Sequence, residues 1–424
     1  MNYRERDRKH LWHPLTQHGL EPDHLPIVRS KGSYLYDDAG RGYIDGIASW
    51  YTCMYGHCNP QITKRVKEQL DQLDQVVFSG FTHPPAIELS EKLVSILPEG
   101  LTRLFFSDNG STSVDIAIKM ALQYHFNRGI KKTRIIALEN AFHGDTFGAM
   151  SVSGLSVYNG PFEDFLLEIH RIPVPDGGNL EEVKGALEAY LENGDVAAFI
   201  FEPLVQGAAA MHMYRADHLD ELMRLSHDYG ALNIADEVMT GLGKTGRMFA
   251  SDYLTSAPDI MCLSKSLTAG IAPMALTCCS EAVFEAFCDR EVSKGFFHGH
   301  TYSANPLACA AASAGLDLLV SKEIQESIDR INNRHVGFRE QLAGHSLVAR
   351  TRMRGVIFAL DLKVESERYG ALRDRLYRFF MDQGVFLRPL GNTIYLLPPF
   401  TISDEELSRI YEAVFNCLEM LAHD

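Results

Sequence analysis

Ala231-Leu232-Asn233-Ile234-Ala235-Asp236-Glu237-Val238 and Ile260-Met261-Cys262-Leu263-Ser264-Lys265 decide the fold. Each is a short apolar run that stops abruptly at a charge. Such runs read as strands buried on both faces, the character of a parallel sheet covered by helices. In open α/β sheets, ligands collect just outside the carboxyl ends of the strands. The two runs therefore predict that a carboxylate, Asp236, and an amine, Lys265, reach one crevice.

The pattern continues on both sides. Residues 103–106, 134–138, 196–201 and 273–279 read as further strands. Helical periodicity covers 62–73, 85–97, the stretch after Thr112, 218–229 and 307–320. Strands alternating with helices predict an α/β domain over 56–320 with a mostly parallel central sheet. Residues 1–55 are irregular apart from a β-hairpin, 33–37 with 43–46, around a glycine turn at 38–42. Beyond residue 320 a charged helix, two strands and two more helices predict a smaller α+β domain over 321–424. The segment 1–55 is expected to pack with it.

Length and composition agree. The chain has 424 residues, too many for one simple core, with 46% hydrophobic and 22% charged residues. The net charge of −15, with both signs interspersed, argues against nucleic acid as a partner, because phosphate binding needs a basic surface. Eight cysteines form no CxxC pair, and Cys262, Cys278 and Cys279 lie in apolar runs, which suggests buried thiols in a reducing compartment. The charged N-terminus leads into no apolar segment, and no run is long enough to span a bilayer. A cytoplasmic location is expected.

Strand 103–106 ends in Ser107-Asp108-Asn109-Gly110-Ser111-Thr112, and a helix follows. Strand, polar turn and helix N-terminus can cradle a phosphate through free amides and a hydroxyl. An ordinary N-cap gives the same pattern. A lysine, a buried acid and a phosphate cradle together suit pyridoxal phosphate. That cofactor takes a lysine into a Schiff base and needs an acid to keep its ring nitrogen protonated. Lys265 and Asp236 would fill these roles, and Gly110 and Ser111 would hold the phosphate. Phe142 could stack on the ring, and Gln206 could donate to its phenolate oxygen. Lys265, once released, would be the general base for the proton shift. His143 reads as an ordinary surface or hydrogen-bonded loop histidine.

Two other motifs lead elsewhere. Gly241-Leu242-Gly243-Lys244-Thr245-Gly246 matches GxGxxG, but Asp236 to Thr240 separate it from the strand and no clear helix starts at Arg247. His298 and His300 lack a cysteine or carboxylate companion, so no metal site is expected.

With these residues in view, the chain resembles the class III, fold-type I pyridoxal-phosphate aminotransferases. The resemblance rests on Ile234 to Val238, Thr240 to Gly246 and Ser264-Lys265. It extends to Trp12-His13-Pro14, Ser49-Trp50-Tyr51, Phe142-His143-Gly144-Asp145-Thr146, Glu202-Pro203-Leu204-Val205-Gln206-Gly207, His298-Gly299-His300-Thr301, Asn305-Pro306 and Arg388-Pro389. It implies a homodimer with shared active sites, in which His300 and Thr301 of one subunit complete the phosphate site of the other. It also implies that Trp50 and Tyr51 line a substrate slot, that Gly299 lies beside the substrate and that Arg388 binds a keto acid's carboxylate. Within the class the biotin-pathway branch is nearest, with S-adenosylmethionine as amino donor in most members and lysine in some. An ω-amino acid:pyruvate aminotransferase is the alternative. Leu15 stands where the family usually places an aromatic that shapes substrate binding, Phe142 replaces a tyrosine, and Lys244 replaces a frequent arginine. These departures leave the donor open.

Overall fold

Leu232–Asp236 and Ile260–Leu263 are neighbouring parallel strands, with Ile234 opposite Ile260 and Asp236 opposite Cys262. The computed structural model describes residues 2–20, 22–154, 160–364 and 366–423, and the two strands lie inside its seven-stranded sheet. In chain order the strands are β1 Leu101–Ser107, β2 Arg134–Leu138, β3 Ile169–Ile172, β4 Val196–Phe201, β5 Leu232–Asp236, β6 Ile260–Leu263 and β7 Ala275–Ser280. Across the sheet the order is β1-β7-β6-β5-β4-β2-β3. From β6 to β3 every pairing is parallel. β7 runs antiparallel to both β6 and β1, so the sheet is mixed.

Every residue of β4, β5 and β6 is buried, because helices cover both faces. On one face α1 (Gly110–Asn127) packs Val114, Ala117, Ile118 and Ala121 against Ile135, Ala137, Ala198, Ile200 and Ile234. On the other, Leu187 of α2 (Leu180–Leu191) and Leu219, Leu222 and Met223 of α3 (Ala216–Asp228) join Ile136, Leu138, Phe199 and Phe201. Successive residues of one strand thus enter opposite cores, as the two-residue period of a strand requires. Burying each of the larger of these side chains, the Val, Leu, Ile, Phe and Met, contributes about 1.5–3 kcal/mol.

β3 is the strand that the apolar runs do not reveal. Ile169-His170-Arg171-Ile172 lies at the sheet edge, where partial exposure lets polar residues in.

The C-terminal part holds a three-stranded antiparallel sheet of Val348–Arg354, Ile357–Leu362 and Thr393–Leu396. The hairpin near the N-terminus forms as expected from Tyr34–Asp37 and Gly42–Asp45. Its second strand pairs in parallel with Val385–Phe386, so the two ends of the chain share one four-stranded sheet. No helix among the described residues is long and apolar enough to cross a membrane.

The glycine-rich turn at 241–246 meets the C-terminal sheet at Gly355. The Val356 amide donates to the Lys244 carbonyl at 3.0 Å. Gly355 has φ 58°, and a Cβ there would lie 2.2 Å from the Gly246 nitrogen. Both the positive φ and the contact exclude a side chain. Gly355→Ala should therefore cost about 3 kcal/mol in urea unfolding. Gly344→Ala, at φ 78° with nothing within 4 Å, should cost only about 1 kcal/mol. Equal losses would mean that the contact contributes nothing beyond backbone strain.

Candidate active site

Asp236 closes β5 and is only 4% exposed. Its Oδ1 accepts the Val238 amide at 3.0 Å, and its Oδ2 lies 2.7 Å from His143 Nδ1. His143 comes from the loop after β2. It is buried, which corrects the surface reading and retains the hydrogen-bonded one. Its amide donates to Ser153 Oγ at 2.9 Å, and its Nε2 is buried without a partner.

Glu202 closes β4 beside Asp236. Sequence reasoning treated it only as a strand end. Its position past a buried run, like that of Asp236, was the available signal. Its oxygens accept the amides of Phe142 and Gly207, each at 3.0 Å. Burial pushes its pKa up to about 7, with His143 pulling it down and Asp236 pushing it up.

Lys265 follows β6 at φ 45°. Burial lowers its pKa, while Asp236 and Glu202 oppose that shift. Its Nζ sits 5.8 Å from the centroid of the Tyr51 ring. Lys244 is fully buried and donates to the Gly241 carbonyl and Ser266 Oγ, each at 2.5 Å. Burial, and then the charge of Lys265, bring its pKa down to about 7. No α-helix follows Gly246 before the short turn Ala250–Tyr253, so the glycine motif lacks the helix that a dinucleotide site requires.

The helix start expected to cradle a phosphate is open. The cap of α1 is Asn109, whose Oδ1 accepts the Thr112 amide at 3.0 Å. Ser111 is therefore not the cap. The Gly110 and Ser111 amides have no partner among the described residues. A Cβ on Gly110 would lie 2.8 Å from Val238 Cγ1, which shows how closely the helix start approaches the end of β5. Ser111 Oγ accepts the Asp145 amide at 2.9 Å. Gly144 has φ 137°, and a Cβ there would lie 1.9 Å from Ser111 Oγ. The loop carrying Phe142 and His143 is thereby drawn over the helix start.

Gln206 is buried, and its Nε2 donates to the Glu139 carbonyl at 2.8 Å, leaving one N–H for the donation expected of it. Its Oε1 is buried without a partner. Trp50 is 43% exposed and Tyr51 is buried. The Arg388 guanidinium lies 4.7 Å over the Trp50 ring and pairs with no carboxylate among the described residues.

Four expected residues stand apart. Leu15 is half-exposed at φ 51°. Gly299, His300 and Thr301 lie on a loop tied to Gln75, whose Nε2 donates to the Thr301 carbonyl at 2.7 Å. His300 Nδ1 accepts the Tyr302 amide at 3.1 Å, and its Nε2 is buried without a partner. His298 and His300 gather no third ligand-type group among the described residues.

Comparison with known proteins places this geometry. The family description "Aminotransferase class-III" matches residues 16–418. The chain belongs to the class III aminotransferases. It is 44% identical over 421 residues to the adenosylmethionine-8-amino-7-oxononanoate aminotransferase of Synechococcus elongatus, covering 97% of this chain and 98% of that one. The enzyme of that name from Geobacter sulfurreducens is 37% identical, with 97% and 96% covered. Among solved structures, the corresponding Methanocaldococcus jannaschii enzyme superposes with a TM-score of 0.94 at 32% identity, covering 98% of each chain. The Pseudomonas jessenii ω-transaminase in complex with PMP also reaches 0.94, at 28% identity, covering 99% of this chain and 98% of that one.

The class III aminotransferase is a pyridoxal-phosphate-dependent transaminase. The residues fit that cofactor. Free amides at the start of α1, a buried acid braced by His143, an amine of lowered pKa and the unpartnered His143 Nε2 and Gln206 Oε1 lie around the carboxyl ends of β4, β5 and β6.

Glu202 makes the apo protein pH-sensitive. Its folded pKa lies above the ordinary 4.5, so between these values the folded state holds more protons than the unfolded one. The stability from this group is fully present at low pH and declines as pH rises toward about 7. From about pH 5 to about pH 7.5 the apo wild type should lose roughly 2 kcal/mol relative to Glu202→Gln. Urea titrations at both pH values test this, and parallel behaviour of the two proteins would refute it.

Proposed function

We propose that this class III aminotransferase converts 8-amino-7-oxononanoate to 7,8-diaminononanoate in biotin biosynthesis, with S-adenosylmethionine as amino donor and lysine as the other candidate. The observation that carries the reading is Arg388. It lies over the Trp50 ring, and no carboxylate among the described residues pairs with it. An arginine in that state, next to an aromatic wall, suits a substrate with a carboxylate at the end of an alkyl chain. The near-full-length similarity to enzymes named for this reaction supports the same reading. An ω-amino acid:pyruvate aminotransferase is the second reading, favoured by the equally close superposition of the ω-transaminase.

Pyridoxal phosphate supplies an aldehyde that bonds to amines and a ring that accepts the electron pair released when a C–H bond breaks. The chain supplies the rest. Gly110 and Ser111 bind the phosphate through amides at a helix N-terminus. Asp236, oriented by His143, holds a proton on the ring nitrogen. Phe142 would cover one ring face, and Gln206 would donate to the phenolate oxygen. Lys265 Nζ takes the proton from the amine-bearing carbon of the donor and later returns one to the carbon of the acceptor. Its lowered pKa leaves more of the amine unprotonated for that work. Trp50 and Tyr51 exclude water from the alkyl slot, and Arg388 orients the acceptor.

The active form is a cytoplasmic homodimer. His300, Thr301 and Gly299 would serve the partner's site, which accounts for a loop tied to Gln75 with an unpartnered His300 Nε2. Phe297 and Tyr302 on the same loop, and Phe81, are 62–75% exposed, as expected of residues that a second subunit covers.

Rescue of a biotin auxotroph lacking this step tests substrate and reaction together. The wild type should support growth and Lys265→Ala should not. Failure of the wild type, together with turnover of ω-amines on pyruvate, would select the second reading. Arg388→Ala should raise KM for the keto acid at least tenfold, and Arg388→Lys should recover part of the loss. Mixing inactive Lys265→Ala with an inactive His300→Ala, Thr301→Ala double variant should restore some activity, because one site per mixed dimer is then complete. No restoration in proven mixed dimers would refute the shared site.

A further inference from the structure

Ala48, Ser49, Trp50 and Tyr51 have φ of 46°, 46°, 67° and 70°. None is glycine, and each left-handed residue costs about 1–2 kcal/mol. A turn of four such residues persists only where its surroundings hold it. Here the holding group is a buried cluster just below the turn.

Asp45 is completely buried. Its Oδ2 accepts the Ser49 hydroxyl at 2.8 Å and lies 2.8 Å from His57 Nε2. Its Oδ1 accepts the Ile47 amide at 3.3 Å. Asp45 precedes the turn, Ser49 lies inside it and His57 follows it, so the cluster closes a loop around it. His57 is itself anchored, exchanging backbone hydrogen bonds with Gly32 at 2.7 and 3.0 Å. Burial opposes a charge on His57, but its bonds to Asp45 and Cys53 prevail and lift its pKa to about 10. His57 therefore holds its proton at neutral pH.

The cluster contains Ser, His and Asp, but it is no hydrolytic triad. His57 Nε2 faces both Asp45 and Ser49, the latter at 3.5 Å, and the serine hydroxyl donates to the carboxylate. A triad places the nucleophile and the acid on opposite ring nitrogens.

The turn presents Trp50 to Arg388 and Tyr51 to Lys265. We propose that Asp45, Ser49 and His57 form a clamp of positioning residues that holds Trp50 and Tyr51 in this strained turn and so determines specificity for the long-chain keto acid. The proposal rests on the reading of Trp50, Tyr51 and Arg388 as the substrate wall.

The test compares His57→Gln, Ser49→Ala and Ser49→Gly with wild type and with Trp50→Ala. Trp12 and Trp50 are the only tryptophans, so in a Trp12→Phe background the fluorescence reports Trp50 alone. In holoenzyme variants with full pyridoxal phosphate absorbance, KM for 8-amino-7-oxononanoate should rise about tenfold while kcat changes less than about threefold. Acrylamide quenching of Trp50 should increase alongside. Ser49→Gly accepts positive φ without strain, so it folds even where Ser49→Ala fails, and it still lacks the hydroxyl. Unchanged KM and quenching in Ser49→Gly and His57→Gln would overturn the clamp. If Trp50→Ala left KM unchanged, the wall reading and the specificity role would fall together, and Trp50 quenching would still decide whether the cluster holds the turn.

Discussion

Charge buried at the carboxyl ends of β4, β5 and β6 is the constraint on which the site depends. Glu202, Asp236 and Lys265 arrive there on adjacent strands. Ionised groups out of water are costly unless they are paired and hydrogen-bonded. The loops around them are shaped by that requirement. Asp236 takes its bonds from His143 and Val238, and Glu202 takes its bonds from Phe142 and Gly207. The loop after β2 therefore serves two carboxylates at once, and Gly144 lets it lie against Ser111.

Glu237 extends the same logic behind the site. It is buried and accepts from Thr240 Oγ1 at 2.5 Å, the amides of Ala250 and Ser251 at 3.1 and 2.7 Å, and Ser251 Oγ at 2.8 Å. Those bonds fold residues 237–251 into a compact turn. They bury Lys244 near Lys265, and burial first, then the like charge of Lys265, lowers Lys244's affinity for its proton. The glycines of this turn thus serve packing rather than phosphate binding. Gly243, at φ 89°, would put a Cβ 2.9 Å from Leu319 Cδ1.

What could be read in the sequence follows from burial. β2 and β4 have the limits that their apolar runs suggest, because hydrophobic cores lie on both faces of the sheet. β3 escaped because an edge strand tolerates His170 and Arg171. The direction of β7 escaped because an apolar run looks the same in either direction. Asp236 and Lys265 were legible as charges that interrupt such runs. Glu202 has the same signature, and only its lack of an assigned chemical role hid it. The burial of His143 was not legible because its partner, Asp236, lies 93 positions away. The left-handed turn at 48–51 left no trace, since none of its residues is a glycine. Trp50 and Tyr51 were legible as an aromatic pair, but core and slot look alike in sequence, and here one ring is 43% exposed and the other is buried.

Two parallel pairings organise the chemistry. Strands that run in parallel end on the same side, so residues just past their ends meet. β5 and β6 deliver Asp236 and Lys265 in this way. The hairpin strand and Val385–Phe386 repeat the arrangement, with Asp45 opposite Phe386 and Ile44 opposite Val385. The chain then leaves both strands toward one place, and Trp50 and Arg388 come within 4.7 Å although they are far apart in sequence. The two pairings differ in support. The first lies inside a wide sheet packed on both faces and fixes Asp236 and Lys265 at strand ends. The second is two residue pairs long, at the edge of a four-stranded sheet. It carries its residues on a strained turn and an exposed arginine. Substitutions near the second pairing can thus move Trp50 and Arg388 without moving Asp236 or Lys265, so the two pairs can change independently within one fold.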